Sequence, residues 1–270
     1  MKKIIAYFFR FLFRFRFFRK RFFGIHKHLF YKYRLFENIE LIANYQGFKL
    51  QLKLDDWIQG NLFFLREYEQ SEIITLNSFL KSDSVFLDLG ANIGIYSLQA
   101  SKKLSNTGKI ISFEPFSINF DLLKKHIDWA NLSQVKLEKK AVGNINGFLT
   151  LYHDKQAKNL GMVTATYSEF ADKEDVEQIT IDTYVEQEKL SKIDVIKIDI
   201  EGFEYETLLG MEKTLSKFKP VILMEVLTDN SPAETYLQQF GYQKWFISDN
   251  GSLSKTSQNP NRRNFIFKPE

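Results

Sequence analysis

The pattern of apolar and polar positions is most informative between residues 85 and 113. Val85–Leu89 is a short apolar run that ends at a glycine, which is typical of a buried parallel strand. From Ile93 onwards, apolar residues recur at helical spacing, and residues 109–113 form a second apolar run. The pattern therefore predicts a strand, a glycine loop, a helix and a second strand, which is the opening of a parallel α/β sheet.

Further elements follow on both sides of this unit. Helices are predicted at 117–130, 204–215 and 232–240, and strands at 135–141, 148–152, 177–182 and 220–226. The last two apolar runs, at 241–247 and 263–267, are joined by a polar loop and predict an antiparallel edge of the sheet. Alternation after a turn predicts a β-hairpin within 43–52, and the polar stretch 159–173 predicts a loop that borders the substrate.

Length and composition limit the classes of protein that this chain can be. A chain of 270 residues can bury one substantial core and carry one appendage. It has no cysteine, which excludes disulfides and thiolate chemistry and is compatible with a reducing compartment. Its net charge of +4 is uneven, because eleven of the 37 basic residues and none of the 33 acidic ones lie in residues 1–36. The rest of the chain is therefore acidic, with a net charge of about −7.

Residues 1–36 form a basic, aromatic N-terminal segment that contains eleven of the 27 phenylalanines. Its apolar stretches are too short to span a bilayer, and arginines interrupt them where a signal peptide would be apolar. As a helix, the segment would have arginines on more than one face, and as a strand its phenylalanines at 9–17 would alternate with mostly basic residues. The periodicity therefore leaves the conformation open. Phenylalanine at the headgroup boundary and basic side chains on lipid phosphates suit an anionic membrane surface. We therefore predict a cytoplasmic protein, peripheral on the inner face of the membrane; a solvated leader and nucleic-acid binding are the alternatives.

A glycine loop between two acidic residues marks the first candidate site. Asp88 lies in the first predicted strand, Gly90 and Gly94 bracket the loop, and Glu114 follows the second strand. An acid about 20 residues after such glycines is placed to accept hydrogen bonds from ribose hydroxyls. The dinucleotide pattern GxGxxG is absent, because other residues, such as Asn92, stand where further glycines would be. A small loop that starts with an acid suits a ligand with an amino-acid tail, so we predict S-adenosylmethionine as the cofactor.

The sequence IDVIKIDIEG at residues 193–202 marks the second candidate site. Strand alternation puts Lys197, Asp199 and Glu201 on one side and isoleucines on the other. Charged side chains at the end of a core strand are costly unless they are paired or functional, so we predict these three as catalytic residues. A structural lysine–carboxylate pair is the alternative. With Glu225 the carboxylates would suit Mg²⁺, but there is no clear third ligand and no metal site is predicted.

Four motifs together resemble those of the FkbM methyltransferase family: LDLGANIGIYSLQAS at 87–101, FEP at 113–115, AVG at 141–143 and IKIDIEGFE at 196–204. The resemblance implies a Rossmann-like class I methyltransferase fold, with a mostly parallel seven-stranded sheet and a C-terminal antiparallel hairpin. It also implies S-adenosylmethionine as the methyl donor and an oxygen acceptor, commonly a sugar hydroxyl. By position, it implies that the cofactor contacts Asp88, Gly90, Asn92, Gly94, Glu114, Ala141 and Val142, and that Asp199 and Glu201 face the acceptor.

The predicted organisation has three segments. They are the N-terminal segment at 1–36, a cap at 37–84 and a methyltransferase domain at 85–270. The predicted activity is O-methylation of a glycan, a lipid-linked saccharide or a natural product. The alternatives are an RNA methyltransferase with a basic head, a dehydrogenase, and a non-catalytic nucleotide-binding membrane scaffold. The missing GxGxxG argues against a dehydrogenase, and the sequence does not indicate the oligomeric state.

Overall fold

The protein is described by a computed structural model, which covers residues 1–153, 172–226, 228, 231–257, 259 and 262–270. Within these residues the chain divides into two compact units, Met1–Tyr68 and the residues from Glu69 onwards. The predicted cap at 37–84 therefore contributes residues to both units, and its capping role stays a prediction. The loop predicted over 159–173 lies outside the described residues, apart from its last two positions.

The first unit begins with helices and continues with a hairpin and a further helix. Its elements are α1 Lys2–Leu12, α2 Arg16–Arg19, α3 Phe22–Ile25, a π-helical segment His26–Tyr31, β1 Glu40–Tyr45, β2 Phe48–Lys53 and α4 Trp57–Phe64. β1 and β2 pair antiparallel, which confirms the hairpin predicted within 43–52. Asp56 caps α4, because its Oδ1 accepts a hydrogen bond from the Gln59 N–H at 2.8 Å. None of the helices within the described residues is long and apolar enough to cross a membrane.

Phenylalanine rings form the core of the first unit. Phe13, Phe22, Phe30 and Phe36 are all buried. The ring centroid of Phe64 lies 5.0 Å from that of Phe30 and 5.2 Å from that of Phe36. The N-terminal segment, whose conformation the sequence leaves open, is helical over most of residues 2–31. It is held in place by burial of one set of rings, each worth about 1.5–3 kcal/mol relative to exposure.

The second unit combines sheets with covering helices. In chain order its elements are α5 Gln70–Ser78, β3 Val85–Leu89, α6 Ile95–Ser101, β4 Lys109–Phe113, α7 Ser117–Ala130, β5 Val135–Glu138, β6 Ala141–Val142, β7 Gly147–His153, β8 Asp172–Ile179, α8 Ile181–Gln187, β9 Val195–Ile198, α9 Glu204–Leu209, α10 Glu212–Phe218, β10 Val221–Glu225, α11 Pro232–Gln239, β11 Tyr242–Ile247, β12 Leu253–Ser254 and β13 Asn264–Pro269. Leu87, Leu89 and Ile196 have no exposed surface. Burial on both faces explains why these strands read as continuous apolar runs.

The central sheet has eight strands in the order β12-β11-β13-β10-β9-β3-β4-β5. Strands β5, β4, β3, β9 and β10 are parallel to one another, and β13, β11 and β12 continue the sheet antiparallel. This topology confirms the predicted parallel sheet with antiparallel C-terminal strands, to which the two-residue β12 adds an eighth strand. The strand order reverses at β3, which lies between β4 and β9. In open α/β sheets, ligands bind beyond the carboxyl ends of the strands at such a reversal.

A smaller sheet of three strands has the order β6-β8-β7. Its β7 confirms the strand predicted at 148–152 and pairs antiparallel with β8. The strand predicted at 177–182 is only partly correct, because β8 ends at Ile179 and α8 begins at Ile181. The single strand predicted over 135–141 is wrong, because it is split into β5 and β6. β5 ends at Glu138 in the central sheet, whereas β6 pairs parallel with β8.

Candidate active site

The carboxyl ends of β3, β4 and β9 bring the two candidate sites together. Asp88 lies near the end of β3, Glu114 directly follows β4, and Asp199 directly follows β9. β3 is hydrogen-bonded in parallel to both of the other strands. The predicted cofactor loop and the predicted acceptor-facing acids therefore lie at one edge of the central sheet, where the strand order reverses.

The loop after β3 requires glycine at its two ends. A Cβ atom at Gly90, which has a φ of +77°, would lie 1.9 Å from the carbonyl oxygen of Asp199. A Cβ atom at Gly94, which has a φ of +92°, would lie 2.6 Å from Cδ1 of Leu123. A side chain would therefore meet both a steric clash and a left-handed backbone. Asn92 between them also has a left-handed φ, of +50°, which asparagine tolerates better than most residues.

Glu114 is buried beside this loop and supports it. Its Oε2 accepts a hydrogen bond from the Asn92 N–H at 2.8 Å, and its Oε1 accepts one from the Phe116 N–H at 3.0 Å. Burial raises the pKa of Glu114 to about 7, although these two hydrogen bonds oppose the shift. Each carboxylate oxygen has a further lone pair with which it can accept a ligand hydroxyl. The predicted ribose contact stays a prediction, and Glu114 has a second role as a support for the loop.

Asp88 is fully buried and only partly satisfied. Its Oδ2 accepts a hydrogen bond from Ser97 Oγ at 2.6 Å. Its Oδ1 has no hydrogen-bond partner among the described residues and lies 3.8 Å from Nζ of Lys197. Burial raises the pKa of Asp88, and the charge of Lys197 opposes that shift. Because an unpaired buried carboxylate oxygen is costly, Oδ1 is suited to a donor or a cation supplied by a ligand.

Lys197 connects the glycine loop to the acids. Its buried ammonium donates to the carbonyl oxygen of Gly90 at 2.7 Å and lies 3.1 Å from Oδ2 of Asp199. Burial alone would lower the pKa of Lys197, but the charges of Asp199 and Asp88 outweigh it and the pKa is raised. The ammonium is therefore charged and holds the loop against the segment after β9. The structure thus shows the lysine–carboxylate pair and leaves the catalytic role of Lys197 a prediction.

The acids after β9 do not follow the alternation of side chains that the sequence predicts for a longer strand. β9 ends at Ile198, and Glu201 adopts a left-handed φ of +53°. Desolvation and repulsion from Asp199 and Glu204 raise the pKa of Glu201 to about 7. Glu204 closes the turn, because its Oε1 accepts the Gly202 N–H at 3.1 Å. No group of three or more His, Cys, Asp or Glu residues suited to a metal ion is found in the described part of the chain.

Two further acids interact with Asp199 at this edge: Glu225, which the sequence indicates only as a possible Mg²⁺ ligand, and Glu69, which it does not indicate. Glu69, just before α5, accepts hydrogen bonds from Tyr96 Oη at 2.7 Å and from Asn264 Nδ2 at 3.2 Å. Burial and repulsion from Asp199 raise the pKa of Glu69 to about 7. Burial, followed by the charge of Asp199, likewise raises the pKa of Glu225 to about 7. Glu69 joins the site from outside both motifs, so no local signal identifies it.

Ala141 and Val142 lie in the small sheet, as strand β6. Both are buried, and the carbonyl oxygen of Val142 accepts a hydrogen bond from Thr207 Oγ1 at 3.1 Å. The side chain of Val142 packs in the same apolar core as Ile179. The predicted contact of Ala141 and Val142 with adenine stays a prediction.

The parallel sheet, its reversal at β3, its antiparallel C-terminal strands and the acids at the strand ends define a Rossmann-like class I methyltransferase fold. The family model described as the methyltransferase FkbM domain matches residues 88–244. This match covers more than half of the chain and includes every predicted site residue. The protein therefore belongs to the FkbM methyltransferase family.

Individual relatives are also methyltransferases. The chain is 28% identical over 155 residues to the hexuronic acid methyltransferase AglP of Haloferax volcanii. The aligned region covers 57% of this chain and 61% of that protein. It is 22% identical over 181 residues to methyltransferase 1 of Beauveria bassiana, covering 59% of this chain and 72% of that one. The crystal structure of methyltransferase FkbM from Methylobacillus flagellatus is similar with a TM-score of 0.48 and 18% identity, over 70% of this chain and 44% of that chain. The chain thus spans less than two thirds of the Haloferax relative.

Proposed function

We propose that this methyltransferase uses S-adenosylmethionine to methylate a hydroxyl group on a sugar-containing acceptor. The observation that supports the proposal most strongly is the convergence of Asp88, Glu114 and Asp199 at the reversal point of the sheet. S-adenosylmethionine, when bound, supplies a methyl group that is electrophilic because it is attached to a sulfonium. The two candidate sites then correspond to a cofactor side and an acceptor side of one cleft.

The groups on the cofactor side fit the chemistry of S-adenosylmethionine. The unpaired Oδ1 of Asp88 suits the ammonium of the methionine tail, because a cation at this buried carboxyl would oppose the burial that raises its pKa. The remaining lone pairs of Glu114 suit ribose hydroxyls. The short loop between Gly90 and Gly94 places the Asn92 N–H 2.8 Å from Oε2 of Glu114, and its glycines let the backbone approach a ligand closely.

The acceptor side fits a hydroxyl nucleophile. The hydroxyl oxygen forms a bond to the methyl carbon as the sulfur–carbon bond breaks, the electron pair of that bond goes to sulfur, and the hydroxyl proton must leave. Of the predicted catalytic acids, Glu201 is exposed and interacts with Asp199, and its raised pKa of about 7 suits proton exchange at neutral pH, so we assign the proton to Glu201. Asp199 is paired with Lys197 at 3.1 Å, so we assign it the orientation of the hydroxyl.

The charge of the acceptor side favours a neutral, hydroxyl-rich acceptor. Glu201, Glu204 and Glu225 all interact electrostatically with Asp199. Such a group of acids accepts hydrogen bonds from sugar hydroxyls, whereas it would repel the phosphates of RNA. The name of the hexuronic acid methyltransferase relative supports a sugar acceptor, but it specifies a sugar acid and so does not bear out the neutrality.

The test combines calorimetry with turnover assays on the full chain. Calorimetry is expected to show micromolar binding of S-adenosylmethionine. Labelled S-adenosylmethionine is then incubated with glycan extracts, lipid-linked saccharides and total RNA in parallel. Label in a saccharide fraction supports the proposal. Label in RNA would favour the RNA methyltransferase alternative, and binding without turnover on any fraction would favour the non-catalytic one.

A further inference from the structure

The basic N-terminal segment contains two sets of phenylalanines with different environments. One set, which includes Phe13 and Phe30, is buried in the core of the first unit. The other set faces solvent: Phe8, Phe11 and Phe15 are 58%, 55% and 52% exposed. Single exposed apolar residues are ordinary, but a series of large exposed rings marks an interaction surface. Core packing therefore explains only the first set.

The exposed rings form a continuous stripe. Ile4, Phe8 and Phe11 are spaced i, i+4 and i+7 along α1, so they share one face of the helix. Phe15 extends this face, because its ring centroid lies 5.5 Å from that of Phe11. We call Ile4, Phe8, Phe11 and Phe15 the outer stripe. The buried residues of α1, Ala6 and Arg10, lie on its other side.

Cations accompany the outer stripe, and residues 1–36 contain no acid. The exposed cations nearest to it in the chain are Lys2, Lys3, Arg14 and Arg16. Other cations of the segment are used within the unit: Arg10 donates to the carbonyl oxygen of Asn44 at 3.0 Å, and Arg19 donates to that of Leu65 at 2.9 Å. The structure thus separates cations that support the fold from cations that are exposed beside the stripe.

We propose that the outer stripe and its exposed cations bind the surface of an anionic lipid bilayer, with α1 lying in the plane of the interface. Isoleucine and phenylalanine side chains lose water when they enter the boundary between headgroups and acyl chains, and lysine and arginine meet lipid phosphates. A bilayer surface presents this combination of an apolar layer beneath an anionic one. This surface lies within the first unit, and the inference does not depend on the methyl-transfer chemistry.

The geometry of the rings favours a bilayer over RNA. The planes of Phe11 and Phe15 meet at 81°, edge to face, so the two rings do not form a parallel platform for bases. The guanidinium of Arg21 lies 3.8 Å from the ring centroid of Phe17 and covers one face of that ring. RNA binding would use the cations of this segment but would leave the outer stripe exposed to water.

The experiment measures co-sedimentation of the full chain with vesicles of phosphatidylcholine, alone or mixed equally with phosphatidylglycerol. The first variant combines Phe8→Ser, Phe11→Ser and Phe15→Ser, and its control is Phe148→Ser, an 81% exposed phenylalanine on β7. The wild type and the control are expected to bind the mixed vesicles equally. The triple variant is expected to partition at least about a hundredfold less. Because the three rings face outwards, thermal melting should be unchanged, which verifies that the variant is folded.

A second variant tests the charges while it keeps the stripe. It combines the substitutions Lys2→Gln, Lys3→Gln, Arg14→Gln and Arg16→Gln. It is expected to lose the preference for phosphatidylglycerol and the sensitivity of binding to salt. Affinity for S-adenosylmethionine should be the same in every variant, which separates this inference from the proposed function. Three results would overturn the proposal of membrane binding. The triple variant could sediment like wild type, or wild type could ignore vesicles and bind RNA tightly. Wild type could also be a dimer and the triple variant a monomer, with no difference between them in vesicle binding.

Discussion

Replacement of Glu114 by glutamine is expected to lower cofactor affinity and to remove the pH dependence that Glu114 gives to stability. The carboxylate accepts two backbone N–H groups, at 2.8 and 3.0 Å, and is 5% exposed. Glutamine has one acceptor oxygen and places an NH₂ group against the other N–H, so the loop loses a support and the cofactor loses an acceptor. We expect the affinity for S-adenosylmethionine to fall about tenfold to a hundredfold, equivalent to about 1–3 kcal/mol.

The effect on stability follows from the raised pKa. The folded state favours the protonated form of Glu114, so this group's contribution to the free energy of unfolding is present below pH 4.5 and is lost as the pH rises through about 7. A pKa raised from 4.5 to about 7 corresponds to about 3 kcal/mol once the folded-state group is ionised. Glutamine cannot ionise, so the free energy of unfolding of Glu114→Gln should lack this loss. The difference in free energy of unfolding, variant minus wild type, should therefore rise by up to that amount from pH 5 to pH 8.

The assays are titration calorimetry with S-adenosylmethionine and urea unfolding at pH 5 and pH 8. Other acids with raised pKa values contribute equally to both proteins and cancel in the difference. Glu177→Gln, on β8, is the control: Glu177 is exposed, and neither quantity should change. Unchanged cofactor affinity in Glu114→Gln would refute the ribose assignment. An equal pH dependence of unfolding in the two proteins would refute the argument from burial.

Three further substitutions probe the rest of the site. Gly90→Ala should abolish detectable cofactor binding, because the added Cβ would lie 1.9 Å from a carbonyl oxygen. The control Gly24→Ala, in α3, has no atom within 4 Å of the added Cβ and should bind normally in the same calorimetric assay. Lys197→Met leaves the buried Asp88 and the partly exposed Asp199 without their cation and should lower the free energy of unfolding by about 3–5 kcal/mol in urea titrations. A loss of less than about 1 kcal/mol would contradict the structural role of the ammonium. In wild type, kcat/KM should rise with pH through about 7, as expected when a base must be deprotonated. Glu201→Gln should lose this rise, and its kcat should fall about a hundredfold. A retained rise would show that another group takes the proton.

Strands and helices that are determined by a local pattern of apolar residues are predictable from the sequence. The apolar runs at Val85–Leu89 and Lys109–Phe113 became β3 and β4, and the helix predicted over 117–130 became α7. The glycines at 90 and 94 were recognisable because they stand between a strand and a helix. The structure adds the reason why Gly90 is needed, namely its contact with the backbone of Asp199 from a distant part of the chain.

The parts that were not predictable depend on distant contacts or on changes of direction. Glu69 reaches the site through hydrogen bonds with Tyr96 and Asn264, which lie far from it in the sequence. The periodicity of the N-terminal segment does not settle its conformation, because several short helices follow one another within residues 2–31. Strand alternation failed beyond Ile198 because the chain turns there, with Glu201 in a left-handed conformation.

The central claim is that the edge formed by β3, β4 and β9 transfers a methyl group from S-adenosylmethionine to a hydroxyl oxygen. The most direct measurement is the identity of the bond formed when the full chain acts on saccharide acceptors with S-adenosylmethionine carrying an isotopically labelled methyl group, determined by NMR. The account predicts the label in a methyl ether on a sugar carbon, and a rate about a hundredfold lower for Asp199→Asn with cofactor affinity nearly unchanged. Label on a nitrogen or in an ester, or equal losses of rate and affinity in Asp199→Asn, would contradict it.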